Sequence, residues 1–128
     1  MSQPNLKKVF NNHLIEFLED VIEIFPENVD LKTGLTMIEG IKFAKPGYLI
    51  LLWKTSIVDL YEDQIMSGDK GFFLNKNYTN DLGEENKGQV LKIIDDIKQL
   101  MRETSEANRN KTMEYVQNLT KICKLFYQ

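Results

Sequence analysis

The sequence predicts an all-α fold, a compact single-domain bundle of five to six helices around a central helix near residues 46–66. Apolar residues recur at steps of three and four along most of the chain, which is the period of helices with one buried face. No run alternates between polar and apolar residues for long enough to indicate a sheet. Because the chain has 128 residues, 42% of them hydrophobic, we expect one domain, residues 1–128, with a sufficient core.

The central helix is predicted from the most apolar stretch of the chain, residues 45–69. Pro46 suits the first turn of a helix, and Gly68 suits the left-handed residue that ends one. The predicted buried stripe consists of Leu49, Leu52, Trp53, Ile57, Leu60, Tyr61 and Ile65. The first half is apolar nearly all round, so we expect neighbouring helices to cover it on several sides. The second half has a polar face and is expected to stay partly exposed to solvent. Charged residues interrupt the run, which predicts a buried core helix and no transmembrane segment.

Two helices are predicted before the central one. The first covers residues 6–25 and ends before Pro26, and Asp30 is expected to cap a second helix that runs to about residue 44. Met37 and Phe43 fall at the margin of the apolar side of this second helix. It also contains Gly34 and Gly40, which weaken it or allow another helix to approach closely.

The second half of the chain is predicted to begin with a short helical turn at residues 69–74 and a loop at residues 75–88. A further helix is expected from about residue 86 to residue 103. Ser105 is a candidate cap for the last helix, which should fold back on its predecessor as a hairpin. The apolar side of this last helix is predicted to hold Met113, Val116, Leu119, Ile122, Cys123 and Phe126.

The predicted partner-binding residues are Phe72, Phe73 and Tyr78. Adjacent residues project about 100° apart on a helix, so Phe72 and Phe73 cannot both point squarely into one core. The alternative is that both phenylalanines close one end of the bundle and that Tyr78 holds the following loop on the core. An exposed aromatic would instead anchor a partner, because buried aromatics dominate interface energies.

The sequence predicts no cofactor, no metal site and no enzyme activity. The single histidine, His13, has no second His or Cys nearby at ligand spacing. The single cysteine, Cys123, falls on an apolar face and is interpreted as an inert core thiol. Acidic residues cluster at Asp59, Glu62 and Asp63 and again at Asp95 and Asp96, and we expect both groups to face water.

The net charge of −3 makes nucleic acid an unlikely partner, because such binding requires a basic surface. The last two helices are mildly basic, through Arg102, Arg109, Lys111, Lys121 and Lys124, and a solvated face is the favoured interpretation. The first residues lack the apolar core of a signal peptide, which predicts synthesis in a reducing compartment.

Several residue combinations resemble a family of small helical proteins encoded, often in several copies, by nucleocytoplasmic large DNA viruses, the giant viruses. They are Phe10-Asn11, Phe17, Asp20, Phe25-Pro26, Trp53, Tyr61, Gly68-Asp69, Phe72-Phe73-Leu74, Lys76, Tyr78 and residues 115–121. The resemblance spans nearly the whole chain and consists of packing and turn residues, so it carries over no functional residue. It implies a virus-encoded protein that is made in the host cytoplasm and has a place in the virion.

The first functional hypothesis is therefore a non-enzymatic minor capsid or virion-associated component whose partners are other viral capsid or virion proteins. The second is a module that binds a host or viral protein during infection through Phe72, Phe73 and the neighbouring loop. The third and weakest hypothesis is a nucleic-acid-associated virion protein that binds through the basic residues of the last two helices.

Overall fold

The structure, a computed structural model, describes residues 5–68 and 85–128. The helices of this part are α1 (Leu6–Ile24), α2 (Val29–Ala44), α3 (residues 48–66), α4 (Glu85–Arg102) and α5 (Glu106–Phe126). The described residues contain helices and turns without a strand, so the predicted all-α bundle is confirmed. The predicted helical turn at residues 69–74 and most of the predicted loop at residues 75–88 lie outside the described residues.

Asparagine side chains cap the first two helices. Asn5 Oδ1 accepts a hydrogen bond from the backbone N–H of Lys8 at 3.1 Å, and Asn28 Oδ1 accepts one from Leu31 at 3.0 Å. The prediction that Asp30 caps α2 was wrong, since Asp30 lies in the first turn of that helix. There its carboxylate still favours the helix, because the N-terminal end carries partial positive charge.

Helix α3 is continuous but not uniform. It consists of an α-helical segment Tyr48–Trp53, a π-helical segment Lys54–Val58 and a second α-helical segment Asp59–Met66. It begins at Tyr48, two residues after the predicted start at Pro46, and Gly47 is the capping residue before the first helical residue. It ends as predicted at Gly68, whose φ of 77° lies in the left-handed region that favours glycine.

The π-helical segment explains the main error in the predicted buried stripe. A wider turn changes the angular position of every later residue relative to a regular helix. Leu60, predicted to be buried, is 55% exposed, whereas Val58, predicted to lie outside the stripe, is 5% exposed. Tyr61 adds a second irregularity, with φ −134° and ψ 16° inside the helix.

The first half of α3 is covered by neighbouring helices on several sides. Ile50 and Ile57 are 0% and 1% exposed, and α1, α2 and α5 all contact this half of the helix. Trp53 Nε1 donates a hydrogen bond to Thr120 Oγ1 of α5 at 3.1 Å. Its indole packs edge-on against Phe10 of α1, with 5.9 Å between ring centroids. The prediction that neighbours wrap this half is confirmed.

The two glycines of α2 have different surroundings. A Cβ atom on Gly34 would lie 3.0 Å from Ile93 Cδ1 of α4, so this glycine allows α4 to approach closely. Gly40 has no neighbouring atom within 4 Å of the equivalent position. Ile93 also lines an apolar cavity of about 30 Å³ between the first four helices. Of the two predicted close approaches, only the one at Gly34 occurs.

Helix α5 is predicted correctly at its start and less well at its end. Ser105 Oγ accepts a hydrogen bond from the backbone N–H of Asn108 at 3.2 Å, as expected for a cap. Val116 and Leu119 are fully buried, but Phe126, predicted on the apolar side, is 39% exposed. Within the described residues, every helix is too short or too polar to cross a membrane.

Candidate functional site

The predicted partner-binding residues Phe72, Phe73 and Tyr78 lie outside the described residues. Their assignment as a binding surface therefore stays a prediction. The other predicted groups, namely the acidic and basic clusters, the cysteine and the histidine, all fall within the described part of the chain.

The acidic residues at the end of α3 are on the surface and take part in ion pairs. Asp59 accepts a hydrogen bond from Lys54, and Glu62 pairs with Lys124 of α5 at 3.0 Å. The side chains of Asp59 and Glu62 are 46% and 36% exposed, which agrees with the predicted solvent-facing position. Asp95 of α4 departs from that prediction, since it is only 8% exposed.

Cys123 is an unreactive core thiol in the folded chain. It is fully buried, and its sulfur lies 3.5 Å from the carbonyl oxygen of Ile50, to which the thiol donates. Burial raises the pKa of Cys123 to about 12. Because the thiolate is the nucleophilic form, this side chain is poorly suited to covalent catalysis at neutral pH, as predicted.

The basic residues near α5 are largely occupied by contacts within the chain. Lys111 pairs with Asp20 of α1 at 3.3 Å, and Lys124 pairs with Glu62. Arg109 Nη1 donates to the carbonyl oxygen of Thr104 at 2.6 Å, across the turn between α4 and α5. These contacts hold helices together, and they leave fewer free cations on this face than the sequence indicated.

Titratable side chains meet where α1 packs against α5. Tyr115 stacks on Phe17 with ring centroids 5.1 Å apart, and the centroid of the His13 ring lies 4.9 Å from that of Tyr115. The Tyr115 hydroxyl donates to Asp20, and Glu16 Oε1 lies 3.2 Å from the same hydroxyl. His13 Nε2 has no hydrogen-bond partner among the described residues.

The pKa shifts in this cluster fit a structural role, in which its hydrogen bonds join α1 to α5, better than acid–base chemistry. The hydrogen bond from Tyr115 lowers the pKa of Asp20, with a smaller contribution from Lys111. Burial, followed by the neighbouring Asp20, raises the pKa of Tyr115. At neutral pH the pair is therefore held as a carboxylate and a phenol, neither of which is poised to exchange a proton. No three His, Cys, Asp or Glu side chains of the described residues are arranged to hold a metal ion.

A concave surface of different character lies on the opposite side of α1, where it faces α2. We call it the α1–α2 groove. From α1 it is lined by Lys8, Asn11 and Ile15, which share one face of the helix by their spacing of three and four, and by the cap residue Asn5. Glu39, Lys42 and Phe43 of α2 form the other wall, and Pro46 closes one end. The groove has a volume of about 470 Å³.

Phe43 is the most exposed large apolar residue of the described part of the chain. Its side chain is 90% exposed at the wall of the α1–α2 groove. The 16-residue helix α2 turns its buried face, through Leu31 and Ile38, towards the core. Phe43 is outside that face, consistent with its marginal position in the sequence pattern. That marginal position is the one sequence signal of this site, and the sequence pattern alone does not predict a binding role for Phe43.

Asn11 contributes an unusual polar group to the same groove. The residue is 1% exposed, and its Nδ2 donates to the carbonyl oxygen of Pro46 at 2.9 Å. Its Oδ1 is buried and has no hydrogen-bond partner among the described residues. A buried acceptor without a partner costs free energy of roughly 1–3 kcal/mol, and this oxygen is covered by the chain itself and is not open to an incoming group.

The groove is locally basic although the chain as a whole is acidic. Its lining includes two lysines, Lys8 and Lys42, and one carboxylate, Glu39. Lys7 lies beside it, with Cδ 3.5 Å from the Cβ position of Gly47, and Lys45 directly precedes Pro46. Lys42 Nζ donates to Asn12 Oδ1 at 2.8 Å, which joins the two walls. Four lysines thus gather around this corner in a chain of net charge −3.

A second exposed apolar surface lies near the end of α5. Phe126 and Tyr127 contact each other edge-to-face at 4.8 Å, and Lys54 Nζ lies 5.9 Å from the Tyr127 ring centroid. Leu51 and Leu125 are 46% and 55% exposed. These rings already pack against each other and against a cation, whereas Phe43 of the groove is almost fully exposed to solvent.

Comparisons with protein-family models, with curated proteins and with solved structures found no match to this chain. The candidate site is therefore defined by its own geometry: the α1–α2 groove with the exposed Phe43 and the surrounding lysines.

Proposed function

We propose that this chain is a non-enzymatic, virus-encoded interaction protein that docks other virion proteins, as a minor capsid or internal virion component. The observation that carries the docking function is Phe43, 90% exposed at the wall of a groove of about 470 Å³. A large aromatic side chain in water costs solvation free energy that burial in an interface would recover, and an aromatic at the wall of a concave surface is the kind of side chain that anchors a partner.

The non-enzymatic part of the proposal is supported by the state of the groups that most often carry chemistry. The Cys123 thiol is buried with a raised pKa, and the pKa values of Tyr115 and Asp20 are shifted apart so that each keeps its ordinary charge state at neutral pH. Catalytic acids and bases usually show the reverse pattern, with pKa values moved towards the working pH.

The virion setting is supported by the resemblance to giant-virus helical proteins and is tested in the particle. We expect quantitative mass spectrometry of purified virions to detect the chain at a copy number comparable with other minor structural proteins. A virus carrying Phe43→Ser should incorporate less of it, whereas Val29→Ser, an exposed apolar residue elsewhere on α2, should be incorporated normally.

Two results would contradict this function. Absence of the chain from purified virions, together with a stable complex with one host or viral factor in infected cells, would favour a binding module of the infection stage. Normal incorporation of Phe43→Ser would remove the groove from the proposal. The Val29→Ser control distinguishes a loss of docking from a general loss of solubility or expression.

A further inference from the structure

Building on the proposed docking function, we infer that the α1–α2 groove binds an acidic peptide segment of a partner protein, one that places an apolar side chain beside Phe43 and carboxylates on Lys8 and Lys42. The inference concerns the chemistry of the partner, which the docking function alone does not specify.

Charge complementarity is the first reason for an acidic occupant. The groove itself is lined by two lysines and one glutamate, and two further lysines, Lys7 and Lys45, lie at its closed end beside Gly47 and Pro46. Because the whole chain has a net charge of −3, this local excess of cations is opposite in sign to the overall field. An acidic segment would be attracted to this corner and repelled by much of the remaining surface, which orients its approach.

The apolar groups of the groove are the second reason for a peptide. Phe43 is 90% exposed and Ile15 is half-buried on the facing wall, so together they offer contact to one apolar side chain. A peptide carries both complements, namely carboxylates for the lysines and an apolar side chain for Phe43.

The shape of the site disfavours the other polyanions. Its volume of about 470 Å³ lies within the range of roughly 300–1,000 Å³ for ligand-binding clefts and cavities. A lipid surface is flat and would leave a concave groove unfilled, and a nucleic acid has no aliphatic side chain to place between Phe43 and Ile15. A concave surface with an aromatic at its wall fits a short segment of chain.

The test is fluorescence anisotropy with labelled ten-residue peptides and the full chain. One peptide has alternating Asp and Glu around a central Leu, a second replaces the acids by Lys, and a third replaces Leu by Gly. We expect only the first to bind well, with affinity falling as NaCl is raised from about 50 to about 300 mM, since salt screens exposed charges.

Two variants with matched controls assign the binding to the groove. The double variant Lys8→Glu/Lys42→Glu should weaken binding at least about tenfold, and Phe43→Ser should weaken it by about the same factor. The controls are Lys32→Glu/Lys121→Glu, which makes the same charge change at exposed positions outside the groove, and Val29→Ser. Circular dichroism melting of each variant confirms that it is folded.

The outcomes separate the two proposals. Equal binding by the groove variants and their controls would overturn the acidic-peptide inference, as would preferential, Phe43-dependent binding of a DNA or RNA oligonucleotide or of phosphatidylserine vesicles. A photo-cross-linking residue in place of Phe43 then tests docking itself in purified virions. A specific cross-link to a virion protein without binding of the acidic peptide would retain the docking function and reject its acidic partner, whereas loss of both would reject the two together.

Discussion

The two sides of α1 are built from similar residues and behave differently. On the side facing α5, Phe17 is 4% exposed and stacks on Tyr115, whose hydroxyl is held by Asp20. On the side facing α2, Phe43 is 90% exposed and Asn11 keeps an acceptor without a partner. Within the described part of the chain, both interfaces keep one buried polar atom without a partner, His13 Nε2 on the α5 side and Asn11 Oδ1 on the α2 side, but only the α2 side leaves its aromatic ring in water. The comparison indicates that the α1–α5 interface holds the fold, and it is the basis for proposing the α1–α2 groove as the docking surface.

The difference between the two sides of α1 is tested most directly by truncating one phenylalanine on each side. We expect Phe17→Ala to lower the free energy of unfolding by about 3–5 kcal/mol, because it removes a buried ring and leaves a cavity. Phe43→Ala should change it by less than about 0.5 kcal/mol, because the ring is in water. Urea unfolding followed by circular dichroism measures both. Similar losses for the two variants would show that Phe43 is part of the core.

The next largest effect concerns the buried hydrogen bond that joins α3 to α5. Thr120 is 0% exposed, and its hydroxyl accepts from Trp53 Nε1 while donating to the carbonyl oxygen of Val116. Thr120→Val should cost about 1–3 kcal/mol, because it leaves the indole N–H buried and unpaired. Thr120→Ser keeps the hydroxyl and should cost less, and a larger loss for Ser than for Val would mean that the methyl contact matters more than the hydrogen bond.

These two interfaces also show what sequence could predict. The helical period of Phe10, Phe17 and Val116 identified the buried faces correctly, because burial of a regular helix follows its spacing directly. It failed at Leu60, which is 55% exposed, because a π-helical segment shifts the register and has no simple sequence signature. The cap of α2 was missed for a related reason, since Asn28 and Asp30 are both good caps and only the backbone decides between them.

The candidate site was less predictable than the fold. Phe43 was seen only as a marginal residue, because its exposure depends on where α1 and α3 lie beside α2. The lysines of the groove come from positions 8 and 42, which are far apart in sequence, so their joint charge appears only after folding. A spatial arrangement of ordinary residues, without a local motif, is therefore the part that sequence reasoning could not supply.

A smaller effect is expected from the two glycines of α2. Gly40→Ala should raise the free energy of unfolding by about 0.5–1 kcal/mol, since the site is open and alanine favours a helix. Gly34→Ala gains the same helix propensity but brings Cβ to 3.0 Å from Ile93 Cδ1, so its net effect should be lower than that of Gly40→Ala. Thermal unfolding compares them directly, and a larger gain at Gly34 would mean that Ile93 moves freely into the neighbouring cavity.

One further effect varies with pH. The hydrogen bond from Tyr115 is the main reason why the pKa of Asp20 is lowered in the folded chain. A lowered folded pKa contributes stability above the unfolded value of about 3.9 and loses it as pH falls through the folded pKa. Tyr115→Phe should therefore cost about 0.5–1.5 kcal/mol at pH 7, and this difference should shrink below about pH 4.

Urea unfolding of the original chain and Tyr115→Phe between about pH 7 and pH 2.5 measures that difference, because the range spans the protonation of carboxylates. Lys111→Met is the matched control, since it removes the smaller electrostatic contribution to Asp20 and leaves the phenol in place. A Tyr115→Phe difference that stays constant down to the lowest pH would show that the Tyr115 hydroxyl stabilises the α1–α5 interface independently of the charge on the Asp20 carboxylate.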